Sequence, residues 1–282
     1  MNLSATSGKS YSPFALALSG GGARGFAHVI ALEVIDELGI KPDIIAGSSI
    51  GAIIGVCYAA GMSGRDIRAF FVDLSKQKTQ LMTSLASVRI GRIRDVISLG
   101  NPLMFDGKRL LERFWPQSVP RTFEELPIPV RLTATDFYAS DTLILQEGDL
   151  LPAIAASIAI PGVFAPVRID GRYYVDGGIL CPVPFDIIER KLPVLAIDVV
   201  GAPQKASENL EPAGIQIFSG SIQLMQNAIT AEKLKTIKPD IFIQPPIHDF
   251  SIMDFLKVEQ ILAVNEIIKD NLKHQIEEKF MG

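Results

Sequence analysis

The sequence has few residues of the kinds that hold metals and disulfides. It contains two cysteines (Cys57 and Cys181), three histidines (His28, His248 and His274) and one tryptophan in 282 residues. The two cysteines lie far apart and form neither a metal-ligand pair nor a redox motif. We therefore expect no metal site and a reducing compartment. No cofactor is expected either, and the location is expected to be cytoplasmic.

Two further absences narrow the class of protein. The first residues, MNLSATSGKSYSPF, lack the apolar core of a secretory signal, and residues 1–13 are expected to form a flexible lead. A net charge of −4 lacks the positive excess of nucleic-acid-binding proteins, so no nucleic acid partner is expected. The 48% of hydrophobic residues is typical of a globular protein with a substantial core, and the alternation of strands and helices along the chain predicts a single domain over residues 14–282.

The stretch Ile44–Gly61 contains GSSIG at residues 47–51, a match to G-x-S-x-G with Ser49 in the middle. This pattern is typical of a sharp strand-to-helix turn that presents a serine Oγ at the edge of a sheet. Gly47 and Gly51 are needed because the strand and the helix pack too closely for a side chain. The uncharged run Ile44–Gly64 leaves a membrane span as an alternative, which its serines and glycines disfavour.

A glycine-rich loop, GGGARG at residues 20–25, lies between a strand-like run at Phe14–Leu18 and a helical pattern at Phe26–Leu38. The loop does not fit the P-loop pattern. Its G-x-G-x-x-G spacing lacks the acidic residue that a dinucleotide site places at the end of the second strand. We expect consecutive backbone N–H groups of this loop to form an oxyanion hole. Arg24 is expected to hold the loop or to bind an anionic headgroup.

Strands and helices alternate along the rest of the chain, which predicts a three-layer α/β/α fold with a central, mostly parallel sheet. Helices are predicted at 63–75, 105–115, 150–159, 185–191, 214–235 and 253–280, and strands at 43–46, 130–136, 142–146, 167–169, 172–175, 194–200 and 240–244.

Two segments leave alternatives open. Residues 76–101 interleave basic and apolar residues, which suits contact with a membrane surface, a cover over a cleft, or ordinary packing. The last helix is expected to pack on the sheet, with a homodimer contact as the alternative.

A serine nucleophile needs a general base. Among the histidines, only His248 follows the serine in a loop, as a Ser-acid-His triad requires. His28 lies on the first helix, where packing or anchoring of the loop is expected, and His274 lies on a charged helix. Asp176 is the other candidate, because it ends a strand and two glycines follow it; a simple Asp-Gly turn is the alternative.

Three motifs in this order, GGGARG, GSSIG and DGG (176–178), resemble those of the patatin-like phospholipases. The stretches MFDGKRLLERF (104–114), ATDFYAS (134–140) and ASIAIPGVFAPV (156–167) are similar as well, so the resemblance covers about residues 14–197. It implies a patatin-like fold, related to acyl hydrolases and transacylases, and a dyad of Ser49 and Asp176 without histidine.

The resemblance also assigns supporting residues. The oxyanion hole would be formed by Gly20, Gly21, Gly22, Ala23 and Arg24, and the two catalytic turns would be supported by Gly47, Gly51, Gly177 and Gly178. One departure is Cys181, which stands where many bacterial relatives have an asparagine before the Pro-x-Pro.

The function implied by the resemblance is a serine acyl hydrolase that cleaves fatty-acyl esters of lipids or lysolipids, with peripheral membrane contact and no cofactor. An acyltransferase and a regulatory protein with a vestigial site are the alternatives. Arg24 and the arginines at 89–94 would suit an anionic lipid.

Overall fold

The computed structural model describes residues 11–77, 89–90, 104–188, 191–203 and 214–281. The described strands are β1 (Ala15–Leu18), β2 (Ile44–Ser48), β3 (Arg89–Ile90), β4 (Met104–Phe105), β5 (Val130–Asp136), β6 (Asp141–Leu145), β7 (Val167–Ile169), β8 (Arg172–Asp176), β9 (Val194–Ile197) and β10 (Ile241–Ile243). The α-helices are α1 (His28–Leu38), α2 (Ile50–Ala59), α3 (Gly64–Lys76), α4 (Gly107–Phe114), α5 (Leu150–Ser157), α6 (Gly214–Thr236), α7 (Val258–Asn265) and α8 (Lys269–Phe280).

Eight of these strands form one sheet in the order β10-β9-β1-β2-β5-β8-β7, with β6 also paired to β5. The five strands from β10 to β5 are parallel, whereas β6, β7 and β8 pair antiparallel. Strands β3 and β4 pair separately. The prediction of an α/β fold with a mostly parallel sheet is confirmed.

Both faces of the sheet are covered, as the alternation along β1 illustrates. Phe14, Leu16 and Leu18 are fully buried in the large cluster that contains α1 and α2. Ala15 and Ala17 are fully buried in a smaller cluster on the opposite side. That cluster is completed by Val183, Phe185, Ile188 and Ala196 and by partly buried residues that include Leu234 of α6.

Two predicted helices differ from the structure. The helix predicted at 253–280 is divided by a 3₁₀ turn, Glu266–Ile268, after the buried Asn265 donates its side-chain amide to the Ile261 carbonyl within the helix. Residues 185–188 of the predicted helix 185–191 form turns, and residues 189–190 lie outside the described part. Such a short segment can form only a few intrahelical hydrogen bonds, so its packing against the sheet decides its conformation.

The structure also bears on the run Ile44–Gly64, where a membrane span was the alternative. It contains strand β2 and the ten-residue helix α2, both largely buried. Across the described residues, no helix has the length and apolar character needed to cross a bilayer.

The N-terminal lead is described from residue 11 onward. The Ser12 amide donates to the Phe280 carbonyl over 2.7 Å, and the Phe14 and Phe280 rings stack with centroids 4.8 Å apart. Residues 1–10 and most of the basic and apolar segment 76–101 lie outside the described part of the chain.

Candidate active site

The G-x-S-x-G motif forms the predicted turn between β2 and α2. Ser49 has φ 53° and ψ −121°, an unfavourable conformation for a residue with a side chain. A Cβ atom on Gly51 would lie 2.3 Å from the Leu18 carbonyl oxygen, and one on Gly47 would lie 2.7 Å from the Gly51 carbonyl oxygen. The neighbouring backbone therefore requires glycine on both sides of the serine.

The pairing around β5 explains how Ser49 meets a residue 127 positions away in the chain. Strand β2 pairs in parallel with the first half of β5 and ends with Ser48 opposite Thr133. Strand β8 pairs antiparallel with the second half and ends with Asp176 opposite Ala134. Because β6 occupies the other edge of β5 over these residues, β2 and β8 approach each other along one edge. Their ends therefore bring Ser49 and Asp176 together.

Ser49 donates its hydroxyl hydrogen to Asp176, with 2.5 Å between Oγ and Oδ2. The other carboxylate oxygen accepts the Gly178 amide over 2.8 Å. Each member of the pair is only 4% exposed. Burial raises the pKa of Asp176 from 3.8 to about 7, although both hydrogen bonds act in the opposite direction. The carboxyl group can therefore accept and return a proton near neutral pH.

The glycines after Asp176 have a steric role. A Cβ atom on Gly177 would lie 2.2 Å from the Thr133 carbonyl oxygen, and one on Gly178 would lie 2.9 Å from the Asp176 carboxylate. Side chains at these positions would push β8 away from β5 or displace the carboxylate. The DGG sequence thus keeps the aspartate within reach of the serine.

A short segment at the end of α5 holds both members of the pair by their backbones. The Ser49 amide donates to the Ser157 hydroxyl over 2.9 Å, and Ser157 is fully buried. The Asp176 amide donates to the Ala159 carbonyl over 3.0 Å. This segment belongs to the family resemblance, but nothing local in the sequence indicates which backbone groups it contacts.

The glycine-rich loop follows β1 and lies beside Ser49 at the same edge of the sheet. Gly21 and Gly22 have φ of 156° and 59°. Cβ atoms on them would lie 2.3 Å from the Val199 carbonyl oxygen and 2.4 Å from the Ile252 carbonyl oxygen, respectively. Both residues line the cleft that contains Ser49.

The two flanking amides of the loop have other partners. Gly20 donates its amide to the Pro182 carbonyl over 3.0 Å, and Ala23 donates to the Ile252 carbonyl over 2.9 Å. These bonds hold the two ends of the turn in place around Gly21 and Gly22.

The Arg24 side chain is 2% exposed and points into the protein. Its guanidinium donates to the Phe250 carbonyl over 2.6 Å and to the Val200 carbonyl over 2.5 Å. Of the two roles predicted for Arg24, these contacts support anchoring of the loop.

None of the three histidines lines the cleft around Ser49 within the described part of the chain. His28 is fully buried, with Nε2 3.0 Å from the Ser19 carbonyl oxygen, and burial lowers its pKa to about 4. Neutral His28 can therefore donate to this carbonyl just before the glycine-rich loop. His248 is exposed, and the exposed His274 lies beside Glu278 on α8.

Cys181 contacts the base of α6 rather than the serine. Its sulfur lies 3.5 Å from the Lys233 ammonium and 3.7 Å from a carboxylate oxygen of Asp186. Lys233 and Asp186 form an ion pair of 2.7 Å. Burial, the largest effect, raises the pKa of the Cys181 thiol to about 12, so the thiol remains neutral.

A cleft with two lobes opens over Ser49, which lines both. The first lobe, of about 250 Å³, is here called the apolar lobe; its walls include Phe26, Ile53, Val56, Phe70, Leu111 and Trp115. The second lobe, of about 400 Å³, is here called the polar lobe because apolar residues such as Phe105, Ile160 and Ile222 share its walls with six polar ones besides Ser49: Asp176, Gln216, Ser219, Gln223, Gln226 and Ser251. An ester bound across Ser49 would thus extend into two different environments.

The sequence of the chain is similar to those of known proteins. The model of the family described as "Patatin-like phospholipase" matches residues 16–188. An uncharacterised NTE family protein of Mycobacterium tuberculosis is 40% identical over 177 residues, which cover 63% of this chain and 46% of that protein. Human patatin-like phospholipase domain-containing protein 6 is 27% identical over 278 residues, covering 89% of this chain and 19% of that protein.

The chain spans less than half the length of these curated relatives. Among solved structures, VipD from Legionella pneumophila matches with a TM-score of 0.50 and 15% identity, over 96% of this chain and 67% of that one. This likeness supports the α/β fold. Since the family model matches more than half of the chain and includes all three predicted motifs, the protein belongs to the patatin-like phospholipase family.

Proposed function

We propose that the protein is a serine hydrolase that cleaves fatty-acyl esters through Ser49 and Asp176. The observation that carries the proposal is the buried hydrogen bond between the Ser49 hydroxyl and a carboxylate whose pKa is raised to about 7. A lysophospholipase among the relatives, that of Eremothecium gossypii, supports a lipid ester as the substrate; it is 27% identical over 291 residues.

In the proposed reaction, Asp176 accepts the hydroxyl proton while Ser49 Oγ attacks the ester carbonyl carbon. The amides of Gly21 and Gly22 are proposed to stabilise the resulting oxyanion, because both line the cleft beside Ser49 while the Gly20 and Ala23 amides bind carbonyls. Each such donor contributes roughly 3–4 kcal/mol in other enzymes. Protonated Asp176 then returns the proton to the departing alcohol, and water releases the acyl group in a second cycle.

The apolar lobe is proposed to hold the acyl chain. Burial of one methylene contributes about 0.8 kcal/mol, which corresponds to about a fourfold increase in kcat/KM for each added methylene. With a series of uncharged esters, we expect this increase to continue until the lobe is filled and then to stop. Equal rates for acetyl and octanoyl esters would contradict this assignment.

The nucleophile is tested by labelling with a fluorophosphonate, which reports an activated serine without a natural substrate. We expect labelling of the wild type, none for Ser49→Ala, and loss of most labelling for Asp176→Asn. Ser48→Ala is the matched control, because Ser48 is equally buried and its hydroxyl has no hydrogen-bond partner within the described residues. Added glycerol then serves as an acyl acceptor. Hydrolysis releases the free fatty acid, whereas acyl transfer produces an acylglycerol, so product analysis distinguishes the two reactions.

The proposal is refuted if folded wild type fails to label and cleaves no acyl ester. It is also refuted if Asp176→Asn labels and turns over like the wild type.

A further inference from the structure

Helix α6 presents a row of uncharged polar side chains to the polar lobe. Gln216, Ser219, Gln223 and Gln226 are separated by three, four and three residues, which places them on one face of the helix. All four line the lobe. Gln226 donates its amide to the Gly178 carbonyl over 3.0 Å, so this face of α6 is fixed against the turn that follows Asp176.

Cationic side chains do not line the polar lobe within the part of the chain that the structure describes. Two cations on segments that contribute to its walls have other partners: Lys233 of α6 pairs with Asp186 over 2.7 Å, and Arg24 of the glycine-rich loop donates to the Phe250 and Val200 carbonyls. Recognition of a phosphate group usually depends on arginine, lysine or a helix N-terminus.

The charge of Asp176 adds a second argument against an anionic ligand here. Asp176 is the one ionisable side chain among the described residues of this lobe, and the proposed base must lose its proton to act. A phosphate bound in the same lobe would repel the carboxylate and raise the pKa of Asp176 further. An uncharged ligand avoids this repulsion.

We propose that the preferred substrate is a fatty-acyl ester of an uncharged polyol, such as glycerol or a sugar, whose hydroxyl groups bind the α6 row. This inference rests on the proposed function, since it places the acyl chain in the apolar lobe and the alcohol in the polar lobe. A carboxamide offers both donors and an acceptor, and so matches a hydroxyl group, which also does both. Sites built for such hydrogen bonds discriminate against ligands that leave them unpaired.

The test compares three decanoyl esters as monomers in solution: 1-decanoylglycerol, 1-decanoyl-glycerol 3-phosphate and methyl decanoate. We expect kcat/KM for the glycerol ester to exceed that for the phosphate ester by about tenfold or more. Gln223→Leu should lower kcat/KM for the glycerol ester about tenfold and change that for the methyl ester less than about twofold. Gln216→Leu should also lower kcat/KM for the glycerol ester more than that for the methyl ester. It replaces Gln223→Leu in the test if that variant does not fold.

The control variant is Gln146→Leu, which changes an exposed glutamine at the end of β6, away from the cleft. It should leave all three rates unchanged, and fluorophosphonate labelling of Ser49 verifies that each variant retains its site. A phosphate ester that is cleaved as fast as the glycerol ester overturns the inference, as does an equal loss for the glycerol and methyl esters in Gln223→Leu.

Failure of the proposed function gives a different result. In that case no ester is cleaved and Ser49 is not labelled, so the substrate assignment falls together with the reaction. Cleavage of the methyl ester without a preference for the glycerol ester leaves the hydrolase intact and refutes only the role of α6.

Discussion

The titration of Asp176 offers the most informative test of the dyad. Its pKa is raised to about 7 by burial, and the proposed base is active only when ionised. The ionised fraction is about one half at pH 7 and about 1% at pH 5, so kcat/KM should fall roughly a hundredfold from pH 9 to pH 5. An aspartate with an ordinary pKa would be more than ~90% ionised at pH 5 and would give a nearly flat profile.

The assay follows an uncharged ester, with the released acid measured by chromatography so that the readout does not titrate. Near-UV circular dichroism at each pH verifies that the protein remains folded. A midpoint near pH 4, or equal rates at pH 5 and pH 8, would refute the assignment of Asp176 as a buried base.

The same shift in pKa predicts a change in stability. Asp176 binds a proton in the folded state up to about pH 7 but in the unfolded state only up to about 3.8, so stability falls as the pH rises through this window. A difference of about three pKa units (7 − 3.8) corresponds to about 4 kcal/mol. Asp176→Asn should therefore have a higher Tm than the wild type at pH 8 and a similar Tm near pH 4.

Asp198→Asn is a suitable control. Asp198 is 3% exposed, and burial also raises its pKa, but it contacts the Val200 amide and Gln244 rather than Ser49. Like Asp176→Asn, Asp198→Asn should have a higher Tm than the wild type at high pH. Its pH–rate profile should keep the midpoint of the wild type. An equal loss of activity in both variants would indicate a general effect of buried carboxylates.

Three further substitutions test the surroundings of the dyad. Ser157→Ala leaves the buried Ser49 amide without its acceptor, which costs about 1–3 kcal/mol. We expect kcat to fall about tenfold or more with little change in KM. Ser157→Thr should recover part of the lost kcat. Unchanged kcat in a folded Ser157→Ala protein would contradict this role. Gly51→Ala places a methyl group 2.3 Å from the Leu18 carbonyl oxygen, so urea denaturation should reveal a loss of about 1–3 kcal/mol together with loss of labelling. Gly39→Ala is the control, because an alanine at its φ of 70° also destabilises the protein but its Cβ atom meets nothing within 4 Å, so labelling should remain. Arg24→Met leaves two buried carbonyls without their donor, and both Tm and kcat should fall, because the glycine-rich loop loses its anchor; a fall in Tm alone would separate the anchor from catalysis.

Local patterns in the sequence were sufficient for the elements and turns that surround Ser49. The strand before Ser49, the helix after it and the glycines on either side follow from close packing over a few residues, and the structure contains them where predicted. The helix at 253–280 was less predictable, because its interruption follows a buried Asn265 whose packing depends on distant elements. Periodicity describes a face of a helix but does not indicate where the helix is divided.

The roles of side chains depended on contacts between distant segments. The sequence allowed two roles for Arg24, an anchor of the loop or a ligand of a headgroup. Its contacts with the carbonyls of Val200 and Phe250 support the anchor. Ser157 had no local feature to distinguish it, although it binds the amide of the serine. The polar row of α6 has helical spacing in the sequence, but only the fold places that face on the cleft.

By itself, the sequence determined which residues could form the two turns and the glycine-rich loop, since these depend on short-range sterics, and it pointed to the family. The pairing of Ser49 with Asp176 was implied only by the resemblance, and the tertiary structure supplies its physical cause, because β2 and β8 end at adjacent positions along one edge of β5. The tertiary structure alone decided the protonation behaviour of the carboxylate, since the pKa of Asp176 depends on the burial that distant segments produce.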